Sequence, residues 1–320
     1  MKTALIFPGQ GSQAVGMGKA LADAFPASRA VFERVDSALE EKLSRLIFEG
    51  PEAELTLTAN AQPALMATSM AALCALESEA GLVVSRDAAF VAGHSLGEYS
   101  ALCAAGALTL EETAQLLRIR GAAMQKAAPV GEGAMAAILG LDFQTVSNIA
   151  LQAASDLYLT GAICEAANDN GGGQVVISGT KAAVERAIEL AKLKGAKRVL
   201  PLPVSAPFHS SLMKPAADAM AEAMKMAHLS APNPPLVANF SATALTDPRE
   251  IGDSLISQVT GTVRWRESVV YMEAQGVTRF VEIGAGKTLA GLVKRIVESA
   301  STVSIGTPSD VEAFKHARAK

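Results

Sequence analysis

A serine flanked by two glycines lies at the junction between a predicted strand and a predicted helix. The apolar run Ala88–Ala92 predicts a short buried strand, and the Ala- and Leu-rich segment Leu96–Leu108 predicts a helix. Between them, Gly93, Ser95 and Gly97 form a G-x-S-x-G motif. In such a tight turn the backbone segments come too close for side chains at the glycines, and the serine hydroxyl is lifted toward the free N–H groups of the new helix. This pattern predicts a nucleophile at Ser95, whereas the alternative is an ordinary glycine-flanked turn.

A serine nucleophile requires a general base, because a free hydroxyl is a poor nucleophile near neutral pH. The chain holds four histidines, His94, His209, His228 and His316. His316 lies in the charged C-terminal tail and His228 in a Met/Ala-rich segment, so both have structural explanations. The side chain of His94 should leave the turn in the direction opposite to that of Ser95. His209, in a proline-bounded loop, is the remaining candidate for the base.

A fixed cation is a third candidate feature. Thr109–Glu112 predicts a capping box that opens a helix reaching about Lys126. This helix contains Arg118 and Arg120, and its apolar face suggests that one of them points inward. The periodicity alone does not distinguish the two, and a solvated arginine is the simpler interpretation of either.

The first strand, Ala4–Phe7, runs into the glycine-rich loop Pro8–Gln13. Glycines on both sides of Gln10 allow the backbone to approach a ligand closely, and N–H groups there could act as donors. A glycine-rich turn at a strand end is the alternative. The loop gains a role only if it lies beside Ser95, which two parallel strands ending on one side of a sheet would allow.

The composition argues against several classes of protein. A net charge of −4 leaves no basic surface typical of nucleic-acid binding. The first residues lack the apolar core of a signal peptide, and no window approaches about eighteen uninterrupted apolar residues, so we expect no membrane span. The three cysteines, Cys74, Cys103 and Cys164, lack metal-ligand spacing, and their odd number argues against a disulfide framework. We expect a soluble cytoplasmic protein without a metal, and a monomer by default.

The order of the predicted elements divides the chain into two parts. After Gly131 the pattern is βαββαβ, which is typical of a ferredoxin-like module, and the polar turn Asn168–Gly173 joins its second and third strands. The flanking segments alternate strands and helices, as in α/β folds with a parallel sheet. We therefore predict a core of residues 1–129 and 200–320 with an inserted subdomain of residues 130–199. Gln258–Arg266 is predicted to be a loop.

Four segments resemble, in the right order, the motifs of malonyl-CoA:acyl carrier protein transacylases. Phe7–Gln13 is similar to the first motif of that family, Gly93–Tyr99 to its nucleophile motif, Arg118–Gly121 to its arginine motif and Pro207–His209 to its histidine motif. Four ordered motifs are far more specific than G-x-S-x-G alone. The resemblance implies an α/β-hydrolase-like core with a parallel sheet and a ferredoxin-like insert, in agreement with the element pattern.

The resemblance also implies a mechanism. His209 takes the proton of Ser95, and the serine oxygen attacks the thioester of malonyl-CoA, which is a substrate and not a bound cofactor. The backbone N–H groups of Gln10 and Leu96 form the oxyanion hole. The malonyl group then passes from the serine ester to the phosphopantetheine thiol of acyl carrier protein, which supplies fatty-acid synthesis.

Further site residues follow from the same resemblance. Arg120, directly before Gly121, matches the family's binder of the substrate carboxylate. The main-chain carbonyl of Gln258 orients His209, and Asn168 matches another polar position of the site. Phe208 is similar to the aromatic residue of malonyl-selective acyltransferase domains in polyketide synthases, which favours malonyl over methylmalonyl.

Three other functions are compatible with parts of this pattern. A serine hydrolase or thioesterase usually has an acid between serine and histidine, and its histidine lies in one of the last loops, whereas further strands and helices follow His209 here. A non-catalytic carrier-docking module is disfavoured by the complete set of Ser95, His209 and Arg120. An acyltransferase of a polyketide pathway would carry the same residues.

Overall fold

The computed structural model describes residues 2–129, 131–204 and 206–318. Val130, the first residue of the predicted insert, lies outside the described residues, as do Ser205 and the ends of the predicted core, Met1 and 319–320. Within these ranges the chain folds into an α/β structure with a mainly parallel sheet, and this part of the prediction is confirmed.

The strands are β1 (Lys2–Phe7), β2 (Phe90–Gly93), β3 (Gly133–Leu139), β4 (Cys164–Gly171), β5 (Gln174–Thr180), β6 (Arg198–Pro201), β7 (Leu236–Val237), β8 (Ala244–Leu245), β9 (Val277–Ile283) and β10 (Ser301–Ile305). The helices are α1 (Lys19–Ala24), α2 (Pro26–Leu39), α3 (Leu43–Glu49), α4 (Glu52–Thr56), α5 (Thr58–Ala80), α6 (Val84–Asp87), α7 (Gly97–Ala104), α8 (Leu110–Lys126), α9 (Phe143–Asp156), α10 (Lys181–Leu193), α11 (Lys214–Met226), α12 (Pro248–Thr260), α13 (Trp265–Ala274), α14 (Thr288–Ile296) and α15 (Pro308–Arg318).

The larger sheet has the strand order β10-β9-β1-β2-β7-β8. Its strands pair in parallel except for the edge pair of β7 and β8. The central strand β1 is buried on both faces: Leu5 and Phe7 join one hydrophobic cluster, and Ala4 and Ile6 join another. Such a continuous apolar run is expected of a parallel strand covered by helices on both sides.

The smaller sheet has the order β4-β5-β3-β6, with every pair antiparallel. Alternation along β3 divides its side chains between two cores. Ala136 and Ile138 pack in a cluster with α9 and α10, whereas Met135 and Ala137 pack in the main cluster of the chain. One face of this sheet therefore packs against α9 and α10, and the other packs against the main hydrophobic cluster of the chain.

Two local predictions are wrong in their bounds. The predicted loop Gln258–Arg266 is confined to residues 261–264, because α12 continues to Thr260 and α13 begins at Trp265. In α13 the side chains of Trp265, Val269 and Met272 form a buried face with helical spacing that overrides the loop-like composition. The predicted turn Asn168–Gly173 begins as strand, since β4 extends to Gly171 and pairs with β5.

Among the described residues, no helix is long and apolar enough to cross a membrane. The same ranges contain no cluster of three His, Cys, Asp or Glu side chains that could hold a metal ion.

Candidate active site

The G-x-S-x-G segment forms a sharp turn between β2 and α7. Ser95 has a left-handed backbone, with a φ of 53°. A Cβ atom at Gly93 would lie 1.9 Å from the carbonyl oxygen of Gly97, and one at Gly97 would lie 2.3 Å from that of Phe7. Neither approach leaves room for a side chain, so the turn requires both glycines. A left-handed non-glycine residue costs about 1–3 kcal/mol, and such residues concentrate at functional sites.

The end of β1 lies against this turn because β1 and β2 are parallel neighbours. The N–H of His94 donates to the carbonyl oxygen of Phe7 over 3.0 Å. A Cβ at Gly9 would approach the His94 carbonyl oxygen to 2.6 Å. The loop Pro8–Gln13 is therefore packed beside Ser95, and Gln10 and Ser95 line the same cavity.

Ser95 and His209 are in direct contact although they come from distant segments. The Oγ of Ser95 lies 2.8 Å from Nε2 of His209. On the other side of the ring, Nδ1 lies 2.8 Å from the main-chain carbonyl oxygen of Gln258. A carbonyl oxygen only accepts, so Nδ1 carries the proton, and in the neutral ring Nε2 accepts from the serine hydroxyl. His209 also has a left-handed backbone, with a φ of 56°.

Among the described residues of α8, Arg120 is the only arginine that reaches the contact between Ser95 and His209. Its side chain is 1% exposed, and Nη2 donates to Ser95 Oγ over 3.1 Å. The guanidinium also donates to the side-chain oxygens of Gln62 and Gln258, each over 2.8 Å. Arg118 points elsewhere and donates to Asn60 over 2.6 Å. The buried cation thus faces the serine oxygen without a direct hydrogen bond to a carboxylate in the part of the chain that the structure describes.

Burial and charge set the protonation state of the histidine. Burial lowers the pKa of His209 to about 3, and the positive charge of Arg120 acts in the same direction. The pKa of Arg120 is also lowered by burial. A neutral His209 with a free Nε2 lone pair beside the Ser95 hydroxyl can accept its proton.

The three side chains line a cavity of about 210 Å³. Met135, Val204 and Phe208 contribute apolar wall to it. Asn168 is buried in β4 and also lines the cavity. His94 lies in the same wall, but its Nε2 contacts Oδ1 of Asn170 at 2.9 Å, so its ring is held by the smaller sheet.

Two backbone N–H groups near the serine have no acceptor in the described ranges: those of Gln10 and Leu96. Leu96 directly precedes α7, and the next three N–H groups, those of Gly97, Glu98 and Tyr99, already donate to backbone carbonyl oxygens. The N–H of Ser95 itself is occupied, because it donates to Oδ1 of Asn239 over 2.7 Å.

The chain is similar over nearly its whole length to known acyltransferases. The acyl transferase domain family matches residues 4–315. The malonyl CoA-acyl carrier protein transacylase of Bacillus subtilis (strain 168) is 47% identical over 311 residues, covering 97% of this chain and 95% of that protein. The chain belongs to the malonyl-CoA:acyl carrier protein transacylase family.

Solved structures agree with this family membership. The acyl-carrier-protein-S-malonyltransferase of Bartonella henselae is 54% identical and superposes with a TM-score of 0.95, covering 100% of both chains. A malonyl-transacylase solved in complex with a type II PKS acyl-carrier protein is 39% identical, with a TM-score of 0.94 and coverage of 99% of this chain and 100% of that one.

Sequence reasoning missed three residues of the site in this transacylase-family chain. Gln62 contacts Arg120 from α5, Glu98 is fully buried in α7, and Asn239 follows β7. Gln62 and Glu98 had a usable signal, since each is a polar residue within an apolar helix that has no polar face to hold it. Asn239 lies outside any periodic element and had none.

Proposed function

We propose that this chain is an [acyl-carrier-protein] S-malonyltransferase, which moves a malonyl group from malonyl-CoA to acyl carrier protein through a malonyl ester on Ser95. The observation that carries the proposal is the 2.8 Å contact between Ser95 Oγ and His209 Nε2, with Arg120 donating to the same serine oxygen. A nucleophile, a base and a carboxylate-binding cation converge in one cavity.

The first half-reaction acylates the serine. Nε2 of His209 takes the hydroxyl proton of Ser95, and the serine oxygen forms a bond to the thioester carbonyl carbon. The N–H groups of Leu96 and Gln10 stabilise the oxyanion, a contribution worth about 10² to 10³ in rate for one such donor. The carbon–sulfur bond breaks, the CoA thiolate takes the proton from His209, and malonyl-Ser95 remains.

The second half-reaction reverses these roles. The phosphopantetheine thiol of acyl carrier protein enters the same cavity, and His209 takes its proton. The thiolate attacks the serine ester, and Ser95 recovers its proton as malonyl-carrier protein leaves. Malonyl-CoA is a substrate here, and no bound cofactor takes part. The reaction supplies malonyl groups for fatty-acid synthesis.

Arg120 selects a diacid donor in this proposal. Its guanidinium can hold the free malonyl carboxylate through two parallel hydrogen bonds. An acetyl donor would leave the buried cation unpaired, and loss of one partner of a buried pair costs about 3–5 kcal/mol. Phe208 and Met135 restrict the remaining space, and Asn168 supplies a polar group near the acyl chain.

We also propose the finer architecture and setting. Residues 1–129 and 200–320 form an α/β-hydrolase-like core, and residues 130–199 form an inserted ferredoxin-like subdomain. The parallel sheet and the separate β4-β5-β3-β6 sheet with two helices of its own support this division. We propose a cytoplasmic monomer.

Intact mass measurement after mixing with malonyl-CoA tests the proposal. We expect one malonyl adduct, mapped to Ser95 by peptide digestion and absent in Ser95→Ala. The isolated adduct should persist in water and discharge rapidly onto holo-acyl carrier protein. Rapid hydrolysis without a thiol would indicate a hydrolase instead, and absence of any adduct would indicate a non-catalytic module.

A further inference from the structure

One buried amide side chain holds the backbone on both sides of Ser95. Oδ1 of Asn239 accepts from the N–H of Ser95, and its Nδ2 donates to the carbonyl oxygen of Gly93, each over 2.7 Å. Asn239 is fully buried and is not among the residues that line the cavity. Its two hydrogen bonds therefore hold the left-handed turn from the side that faces away from the cavity.

The carboxyl group of Glu98 holds the backbone of Asn239, which carries this amide. Its Oε2 accepts from the N–H of Asn239 over 3.0 Å and from Nε2 of Gln258 over 2.8 Å. Burial raises the pKa of Glu98 to about 7. Burying a carboxyl group costs free energy unless it is hydrogen-bonded. Here both hydrogen bonds go to Oε2, and Oε1 has no partner among the described residues.

Gln258 extends the network to the front of the site. Its Nε2 also donates to the carbonyl oxygen of Ser95 over 3.0 Å, and its Oε1 accepts from Nη2 of Arg120 over 2.8 Å. The N–H and the carbonyl of Ser95 are thus held by the side chains of Asn239 and Gln258; Glu98 binds the backbone N–H of Asn239 and the side-chain amide of Gln258. Because Asn239 occupies the Ser95 N–H, the N–H of Leu96 is the first one in the turn left for an oxyanion.

We propose that Asn239 and Glu98 are positioning residues for the nucleophile: Asn239 holds the strained backbone of Ser95, and Glu98 aligns Asn239 and Gln258. This inference rests on the proposed function, in which Ser95 is acylated. Neither residue lines the cavity, so we expect their effect on the rate of acylation to exceed any effect on half-saturation with malonyl-CoA.

The test measures single-turnover formation of malonyl-Ser95 by quenched-flow mass spectrometry over a range of malonyl-CoA concentrations. Asn239→Ala should lower the maximal acylation rate about 10²-fold or more, the scale of a lost oxyanion donor, with half-saturation changed less than about threefold. Asn239→Asp keeps the acceptor for the Ser95 N–H but loses the donor to the Gly93 carbonyl oxygen. Its acylation rate should therefore lie between those of the wild type and Asn239→Ala. Glu98→Gln keeps the shape but replaces one carboxyl oxygen with an NH2 donor, so it should slow acylation about tenfold, the scale of one lost hydrogen bond.

Glu282→Gln is the matched control. Glu282 is also fully buried, and its carboxylate accepts from the backbone N–H groups of Leu289 and Ala290, but it touches no residue of the serine turn. We expect it to lower the melting temperature and to leave the acylation rate per folded molecule unchanged.

Three results would overturn the inference. The first is that folded Asn239→Ala is acylated at the wild-type rate, or that Asn239→Asp and Glu98→Gln both are. The second is a loss confined to half-saturation, and the third is an equal rate loss in Glu282→Gln. If Asn239→Ala does not fold, the two near-isosteric variants carry the test. If the wild-type protein itself forms no adduct on Ser95, the proposed function has failed first.

Discussion

Arg120 and Ser95 are joined directly, with Nη2 of the guanidinium 3.1 Å from the serine oxygen. Burial lowers the pKa of His209 to about 3, and the charge of Arg120 is the second-largest cause of that shift. One positive charge therefore acts on both side chains: it donates to the serine oxygen and helps to keep the histidine unprotonated. Binding of a carboxylate at Arg120 would remove part of its effect on His209.

This coupling predicts a difference between two pH profiles. His209 must be neutral to act, so activity falls as pH drops through its pKa, and kcat/KM for malonyl-CoA should show no loss near the ordinary histidine value of 6.5. In the complex the malonyl carboxylate offsets the charge of Arg120 and raises the pKa of His209. The acid limb of kcat should therefore lie at higher pH than that of kcat/KM. Steady-state assays with buffers of constant ionic strength would measure both, and coincident or reversed limbs would contradict the coupling.

Replacement of the cation should change donor preference. Arg120→Ala is expected to lower kcat/KM for malonyl-CoA by about 10²-fold or more and to retain or increase transfer from acetyl-CoA, because the unpaired buried charge is removed. Arg118→Ala, two positions earlier on α8 and bonded to Asn60, is the matched control and should leave the donor preference unchanged. An equal loss with both donors would indicate that Arg120 is only structural, through Gln62 and Gln258.

Local sequence patterns predicted the elements that position the site but not all of its contacts. The turn at Ser95 was predictable because its glycines are required by backbone approaches that any such turn must make. The capping box at Thr109 was also predictable, and both of its reciprocal hydrogen bonds are present. Periodicity could not separate Arg118 from Arg120, since the choice depends on packing against α5, and only family resemblance favoured Arg120.

The contacts that sequence could not predict join residues far apart in the chain. Asn239 and Glu98 are separated by 141 positions and meet only because β7 lies beside β2 in the sheet. Gln258 acts partly through a main-chain carbonyl, which any residue type could supply, so its identity carries no signal for that role. The loop predicted around Gln258 is shorter than expected, because buried positions with helical spacing extend α12 and α13 into both of its ends.

The glycines of the chain predict opposite effects of the same substitution. In Gly97→Ala the new Cβ would meet the carbonyl oxygen of Phe7 at 2.3 Å, so the backbone must shift, and we expect a loss of about 1–3 kcal/mol of unfolding free energy or more. Gly291→Ala is the matched control: it lies in α14, is exposed and has no neighbour within 4 Å. It should stabilise the protein by about 0.5–1 kcal/mol through helix propensity. Urea denaturation measures both, and equal effects would contradict the close approach at Gly97.

The buried carboxyl of Glu98 predicts a pH-dependent stability difference. Burial raises its pKa from 4.5 to about 7, against the opposing hydrogen bonds from Asn239 and Gln258. Between these values the folded state binds more protons than the unfolded state, so the stabilising contribution of Glu98 is complete below pH 4.5 and is lost as pH rises through about 7. Glu98→Gln does not titrate, so its unfolding free energy relative to wild type should rise by up to about 1.4 kcal/mol per pH unit in this window.

Asp87→Asn is the control for that measurement. Hydrogen bonding to Arg86, and then to the Val83 N–H and Arg318, holds the pKa of Asp87 below its ordinary value of 3.8, although burial opposes this. Asp87 is therefore ionised in both the folded and the unfolded state above about pH 5, and its stabilising contribution is lost only in more acidic solution. The unfolding free energy of Asp87→Asn relative to wild type should stay constant from about pH 5 to about pH 7. The unfolding free energy of Glu98→Gln relative to wild type should rise over the same range. Guanidinium titrations at several pH values measure both slopes, and a flat difference for Glu98→Gln would mean that this carboxyl group keeps an ordinary pKa in the folded protein.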